Sequence, residues 1–329
     1  MGCPLPEESP TVTQDDSHRW QWSLRRIEAP PAWNVTRGSR ELVVAVIDTG
    51  VDPGHPELAG RVLRGANIAA PHLSADDDNG HGTAVAGLIA AKGANNRGFA
   101  GIAPDVKILP VKVNEPGGGA VSAHHIAQGI RWAVHHGASL INASVGVVQW
   151  EHGLTLAALD ELAEAIQYAL KHNVMVIAAA GPAVSPTPFP GTWSMLWEFR
   201  GLIAAGGTDR HDRRAGCSPA SNFISVTAPS DGVLTTSPRN QGRLYGTFGG
   251  TSAAAPHVTG LCALVRSLRP HLKPHEVKAL LQASADRLGG TEYHPDYGFG
   301  RINVQRTVNA ANQLRVPSAD EAPASSKPA

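Results

Sequence analysis

Three residues in this chain have the types that together activate a hydroxyl: Asp48, His81 and Ser252, in that order. A serine oxygen is a weak nucleophile until a base removes its proton. Histidine is the side chain whose proton affinity suits that task near neutral pH. A carboxylate on the far ring nitrogen fixes the imidazole tautomer and stabilises the cation that forms. Each residue also has an ordinary reading. Asp48 reads equally as a turn aspartate, Ser252 as the N-cap of a core helix, and His81 as one of 15 histidines.

The segments around them say where they sit. Asp48 ends the apolar run Val43-Val44-Ala45-Val46-Ile47 and precedes Thr49-Gly50. A continuous β-branched run predicts a strand buried on both faces, and open parallel sheets bind ligands beyond the carboxyl ends of their strands. His81-Gly82-Thr83-Ala84-Val85-Ala86-Gly87 predicts the start of an apolar helix reaching to about Ala91. It follows Asp76-Asp77-Asp78-Asn79-Gly80, an acidic loop that reads either as solvated surface or as a weak cation site. Gly249-Gly250-Thr251-Ser252 predicts a loop feeding a buried helix, because Val258, Leu261, Cys262, Leu264 and Val265 recur at helical spacing. Unpaired N–H groups at that helix start favour a developing negative charge.

The remaining chain alternates strand and helix. Apolar runs predict strands at 107–113, 140–144, 174–180, 202–205 and 224–226. Pro110 marks the first of these as bulged or at a sheet edge. Helical periodicity falls on 126–134, 159–170, 274–283 and 304–312. This alternation implies an α/β protein with a mostly parallel central sheet and helices on both faces. One domain over 19–314 is expected, with a flexible N-terminal segment, 1–18, and a disordered C-terminal tail, 315–329.

Composition narrows the function classes. A formal net charge of +0 without a long basic block argues against nucleic-acid binding. The longest apolar run is too short to span a bilayer. The N-terminus, with Glu7, Glu8, Asp15 and Asp16, has no secretory-signal pattern. Cys3, Cys217 and Cys262 are too widely spaced for a metal motif. The expectation is a cytoplasmic protein without membrane or nucleic-acid partners.

Taken in order, the motifs resemble those of the subtilisin-like serine peptidases (subtilases, peptidase S8). The resemblance rests on Val46-Ile47-Asp48-Thr49-Gly50-Val51-Asp52, on His81 to Gly87, and on Gly250-Thr251-Ser252-Ala253-Ala254-Ala255-Pro256-His257. It is supported by Gly101-Ile102-Ala103-Pro104 and Gly298-Phe299-Gly300-Arg301-Ile302-Asn303, and it spans roughly residues 20–313. It implies a three-layer subtilisin-like fold and a serine endopeptidase acting on peptides or proteins, with Asp48, His81 and Ser252 as triad and no cofactor for the chemistry. It also implies that Gly117, Gly118 and Gly119 pair with one side of an extended substrate and Ser144, Val145 and Gly146 with the other. Ala179 and Gly181 then belong to the wall of the pocket for the residue before the cut. Glu57 and Asn95 match a structural calcium site of the family, set against the plain reading of 95–98 as a surface loop.

Four departures qualify the resemblance. Pro182 stands where the family places an oxyanion-hole asparagine, leaving the Ser252 N–H and the Thr251 hydroxyl as candidate donors. Ala84 replaces a second, non-catalytic histidine. Asp48 lies too near the start for a folding pro-domain to precede it, which points to a partner replacing one. Residues 192–200 look inserted, and with Trp193 and Trp197 read as a lid or a docking surface. Two functions remain open: an active endopeptidase with a weakened oxyanion hole, or an impaired subtilase fold that binds extended peptides or acts as a regulatory partner. The stretch 178–192 contains no Asp or Glu, so neutral or apolar side chains are expected before the cut.

Overall fold

The computed structural model describes residues 21–93, 99–116, 121–145, 155–182 and 201–314. Its centre is a sheet built from β1 (Val43–Asp48), β2 (Ala66–Asn67), β3 (Lys107–Lys112), β4 (Leu140–Ala143), β5 (Met175–Ala179), β6 (Leu202–Thr208) and β7 (Val226–Pro229). The strands lie in the order β2-β3-β1-β4-β5-β6-β7, and every neighbouring pair is parallel. Parallel neighbours need crossovers, and helices supply them. They are α3 (His81–Ala90), α4 (Ala123–His135) and α5 (Leu156–Lys171), joined by α6 (Thr251–Leu268), α7 (Pro274–Ser284) and α8 (Val304–Gln313).

Alternation along each strand sorts the core into two layers. Val44, Val46, Ile108, Leu140 and Ile177 face α3 and α6, packing with Val85, Ile89, Val258 and Leu261. Ala45, Ile47, Leu109, Val111, Ile141 and Val176 face α4 and α5, packing with Ile126, Ile130, Leu162 and Ile166. Helix α6 is buried along nearly its whole length, including Ala253 to Val265, as a helix with apolar residues all round must be. The expected three-layer α/β architecture is therefore the one observed. After β1 the chain builds β2 and β3 on one side and then crosses to β4 on the other. That reversal opens a crevice beyond the carboxyl end of β1, where Asp48 sits.

The sequence places Pro110 wrongly. Strand β3 is neither bulged nor at an edge, since it lies between β2 and β1 with Pro110 in register with Val46. The N–H and C=O of Ile108 both bond toward the β2 side, to Arg61 and Leu63. Pro110, two residues on, points its nitrogen the same way. Strand pairing on that side breaks off between the Val62–Ile108 bridge and Ala66–Val111, so no ladder bond is lost. The short helices α1 (Trp22–Arg26) and α2 (Ala29–Ala32) and the antiparallel hairpin of β8 (Val233–Thr236) and β9 (Tyr245–Phe248) were not foreseen from periodicity.

Candidate active site

Asp48 is the last residue of β1 and is completely buried. His81 opens α3, and its Nδ1 lies 2.7 Å from Asp48 Oδ1. The same carboxylate oxygen accepts the Thr49 N–H at 2.8 Å. Gly82 makes this approach feasible. A Cβ at that position would lie 2.0 Å from the Gly50 carbonyl oxygen and 3.1 Å from Asp48 Cβ. Phe248 of β9 packs edge-on against the His81 ring, with centroids 5.0 Å apart and planes at 75°. The His81 side chain remains 28% exposed, so it can meet a substrate. Burial alone pulls the imidazole pKa down. The Asp48 charge, its hydrogen bond and the Asp77 charge together outweigh that and raise it above 6.5.

The acidic loop before α3 is not merely solvated surface. Asp77 is buried, and its two oxygens accept five bonds, from the Thr49 and Thr83 hydroxyls and the N–H groups of Asn79, Gly80 and Thr83. Asp78 pairs with Lys112 Nζ at 2.6 Å, and the same ammonium donates to the Thr49 carbonyl at 2.6 Å. Lys112 is 3% exposed and in register with Asp48. Sequence reasoning missed Asp77, Lys112 and Phe248. An aspartate shortly before a helix start is a turn and capping signal, but it applies equally to Asp76, Asp77 and Asp78. Nothing local marks Lys112 or Phe248.

Ser252 is the second residue of α6, among the N–H groups that have no intrahelical carbonyl to bond. Pro256 lies inside this helix and brings no N–H for the Ser252 carbonyl four residues back. That carbonyl accepts the Ser144 hydroxyl at 3.2 Å, and the Ser252 hydroxyl donates to the Ser144 carbonyl at 3.0 Å. The two serines thus fasten the end of β4 to the start of α6. Asn142 supports Ser144 with a bond from Nδ2 at 2.9 Å, and Thr259 of α6 donates to Asn142 Oδ1 at 2.8 Å. His257 is fully buried in the same helix, with Nδ1 2.7 Å from the Ala253 carbonyl oxygen. Burial pushes its pKa down to about 4, so it stays neutral.

The oxyanion-hole expectations meet a specific arrangement. The Thr251 hydroxyl donates to the Gly181 carbonyl at 3.0 Å and accepts the Gly181 N–H at 3.1 Å. It is tied to the chain beside Pro182 rather than free toward the crevice. Gly181 has φ +94°, a conformation that favours glycine, and Pro182 is exposed beside it. Among the substrate-contact expectations, Ser144, Val145, Ala179 and Gly181 lie at or just beyond the carboxyl ends of β4 and β5. Gly117, Gly118, Gly119, Gly146 and the 192–200 stretch fall outside the described residues.

Asn95 also lies outside the described residues. Glu57 is completely buried, and its Oε1 accepts the Tyr245 hydroxyl at 2.6 Å. Among the described residues no three acidic, histidine or cysteine side chains converge as a metal site. Glu57 alone falls short of the six to eight oxygens that calcium takes. No helix among the described residues is long and apolar enough to cross a membrane.

Comparison with known proteins places the chain among serine proteinases of one family. Residues 39–300 match the model of the subtilase family. The chain is 37% identical over 291 residues to a thermophilic serine proteinase of Bacillus sp. (strain AK1), covering 88% of this chain and 67% of that one. It is 33% identical over 290 residues to thermitase of Thermoactinomyces vulgaris, covering 88% and 95% respectively. The crystal structure of fervidolysin from Fervidobacterium pennivorans, a keratinolytic enzyme related to subtilisin, superposes with a TM-score of 0.74 at 31% identity. That match covers 90% of this chain and 46% of the fervidolysin chain.

Proposed function

This chain belongs to the subtilase family and is a serine-type endopeptidase, and from that premise we propose that it cuts peptide bonds through an acyl-enzyme on Ser252. The observation that carries the proposal is the 2.7 Å contact of buried Asp48 with His81 at the carboxyl end of β1, next to the end of β4 where Ser144 holds the Ser252 hydroxyl. Asp48 holds Nδ1–H, which leaves Nε2 as the base. The Ser252 hydroxyl turns about χ1 from the Ser144 carbonyl toward His81. It gives up its proton and attacks the substrate carbonyl. The resulting oxyanion meets the Ser252 N–H at the positive end of α6. His81 then passes its proton to the leaving amine, and water repeats the sequence to release the acyl group.

The substrate binds as an extended strand against the Ser144–Val145 edge, held by main-chain bonds. Its side chain before the cut enters a pocket walled by Ala179 and Gly181. Basic selectivity requires a carboxylate in that pocket. Residues 178–192 supply none, so the preferred side chains are neutral or apolar. A second reading, an impaired fold that binds peptides without cutting them, draws on Pro182 alone. A fluorophosphonate probe followed by a digest of a peptide library separates the two. Labelling at Ser252 with cuts after neutral residues is the expected result. A folded chain that resists the probe favours the binding protein, and cuts confined to Lys or Arg overturn the pocket assignment.

A further inference from the structure

A buried carboxylate outside the Asp48–His81 pair binds the segments that carry both residues. Asp77 is 5% exposed and lies between the β1 turn and the first turn of α3. Its Oδ1 accepts the Thr49 hydroxyl at 2.9 Å and the N–H groups of Asn79 at 3.0 Å and Gly80 at 2.8 Å. Its Oδ2 accepts the Thr83 N–H at 2.8 Å and the Thr83 hydroxyl at 2.6 Å. Thr49 follows Asp48 directly, and its hydroxyl also accepts the N–H of Gly82, the residue after His81, at 2.9 Å. One carboxylate therefore ties together the neighbours of both members of the pair. Such bonds to an ionised acceptor are about twice as strong as neutral ones. An amide in its place would have one accepting oxygen and would turn an NH₂ group toward donors.

We propose that Asp77 is a positioning residue, which locks the β1 turn to the start of α3 and so sets the distance and angle at which His81 meets Asp48. Its charge acts in the same direction as its bonds. Among the described residues, the carboxylates that face His81 are Asp48 from β1 and Asp77 from the loop before α3, and both raise its proton affinity. The cations nearby are engaged elsewhere, Lys112 with Asp78 and the Thr49 carbonyl, Arg239 with Asp52.

The inference rests on Asp48, His81 and Ser252 acting as the triad, and its test is read without turnover as well as with it. In a Ser252→Ala background, an NMR titration of the His81 ring protons reports proton affinity directly. Adding Asp77→Asn is expected to lower the midpoint by about half a pH unit or more. In the active chain, Asp77→Asn is expected to lower kcat about tenfold or more with little change in KM, and to move the acid limb of the pH profile downward. Thr83→Val removes a donor but keeps the charge. It is expected to lower kcat while leaving the acid limb in place, with Thr83→Ser restoring the rate. An Asp77→Asn protein with wild-type titration and kcat overturns the proposal. If that variant fails to fold, wild-type kcat in Thr83→Val overturns it instead. Failure of the folded wild type to label at Ser252 overturns the triad assignment separately, whatever the titration gives.

Discussion

Two side chains set the chemistry of this site in opposite directions. His81 has its pKa raised, because the Asp48 and Asp77 charges and the Asp48 hydrogen bond outweigh a burial that by itself lowers it. A general base must be neutral to accept a proton, so activity is lost as pH falls through that raised value. The acid limb of kcat/KM is therefore expected above pH 6.5. A limb at or below 6.5 in a profile measured from pH 5 to 9 would contradict the assignment of His81. Pro182 acts the other way under the proposed mechanism, since it offers neither a side-chain donor nor a backbone N–H at the position where the resemblance implies an oxyanion-hole asparagine. Loss of one such donor costs roughly 10²–10³ in turnover. The Thr251 hydroxyl is engaged with Gly181 and is a poor replacement. Pro182→Asn is expected to raise kcat on a small peptide ester about tenfold or more with KM unchanged. Equal turnover in the two proteins would reveal another donor.

At the scale of elements, the site depends on how closely α3 can approach β1. Gly82 is the point of contact, so Gly82→Ala forces a Cβ into the Gly50 carbonyl. The expected result is a stability loss of about 1–3 kcal/mol in denaturant unfolding and a fall in kcat of about 10². A variant with wild-type kcat would show that the contact can yield without disturbing His81. Much of this framework was readable beforehand. The run 43–47, the small residues after His81 and the apolar spacing after Ser252 each report burial, and burial decides strand, helix and layer. What the sequence could not disclose was which polar groups converge. Asp77 sits in a stretch of three aspartates that differ only in where they point. Lys112 is a lysine in a strand, ordinary until pairing sets it beside Asp48. Pro110 read as an edge residue because its missing N–H matters only where a neighbour needs it, and that neighbour is interrupted. Pro256 was visible inside a helical pattern, yet its consequence, a Ser252 carbonyl left free for Ser144, required the fold.

For the molecule as a whole, we propose that a calcium ion held by Glu57 and Asn95 would bind only the folded chain. Melting temperature would then rise with calcium, by the equivalent of about 2.7 kcal/mol at a hundredfold excess over Kd, and Glu57→Gln would abolish the response. An identical melting curve in millimolar calcium removes the site. The order of the catalytic parts along the chain has a different consequence, which concerns the ribosome. Asp48 and His81 emerge before the proposed nucleophile, Ser252, which lies on a helix that packs against strands completed only at residue 229. Folding during synthesis proceeds from the N-terminus. A nascent chain therefore carries the proposed base and its orienting acid from residue 81 until residue 252 is made, with no nucleophile to serve. It becomes able to cut protein only when the rest of the sheet is there to resist being cut.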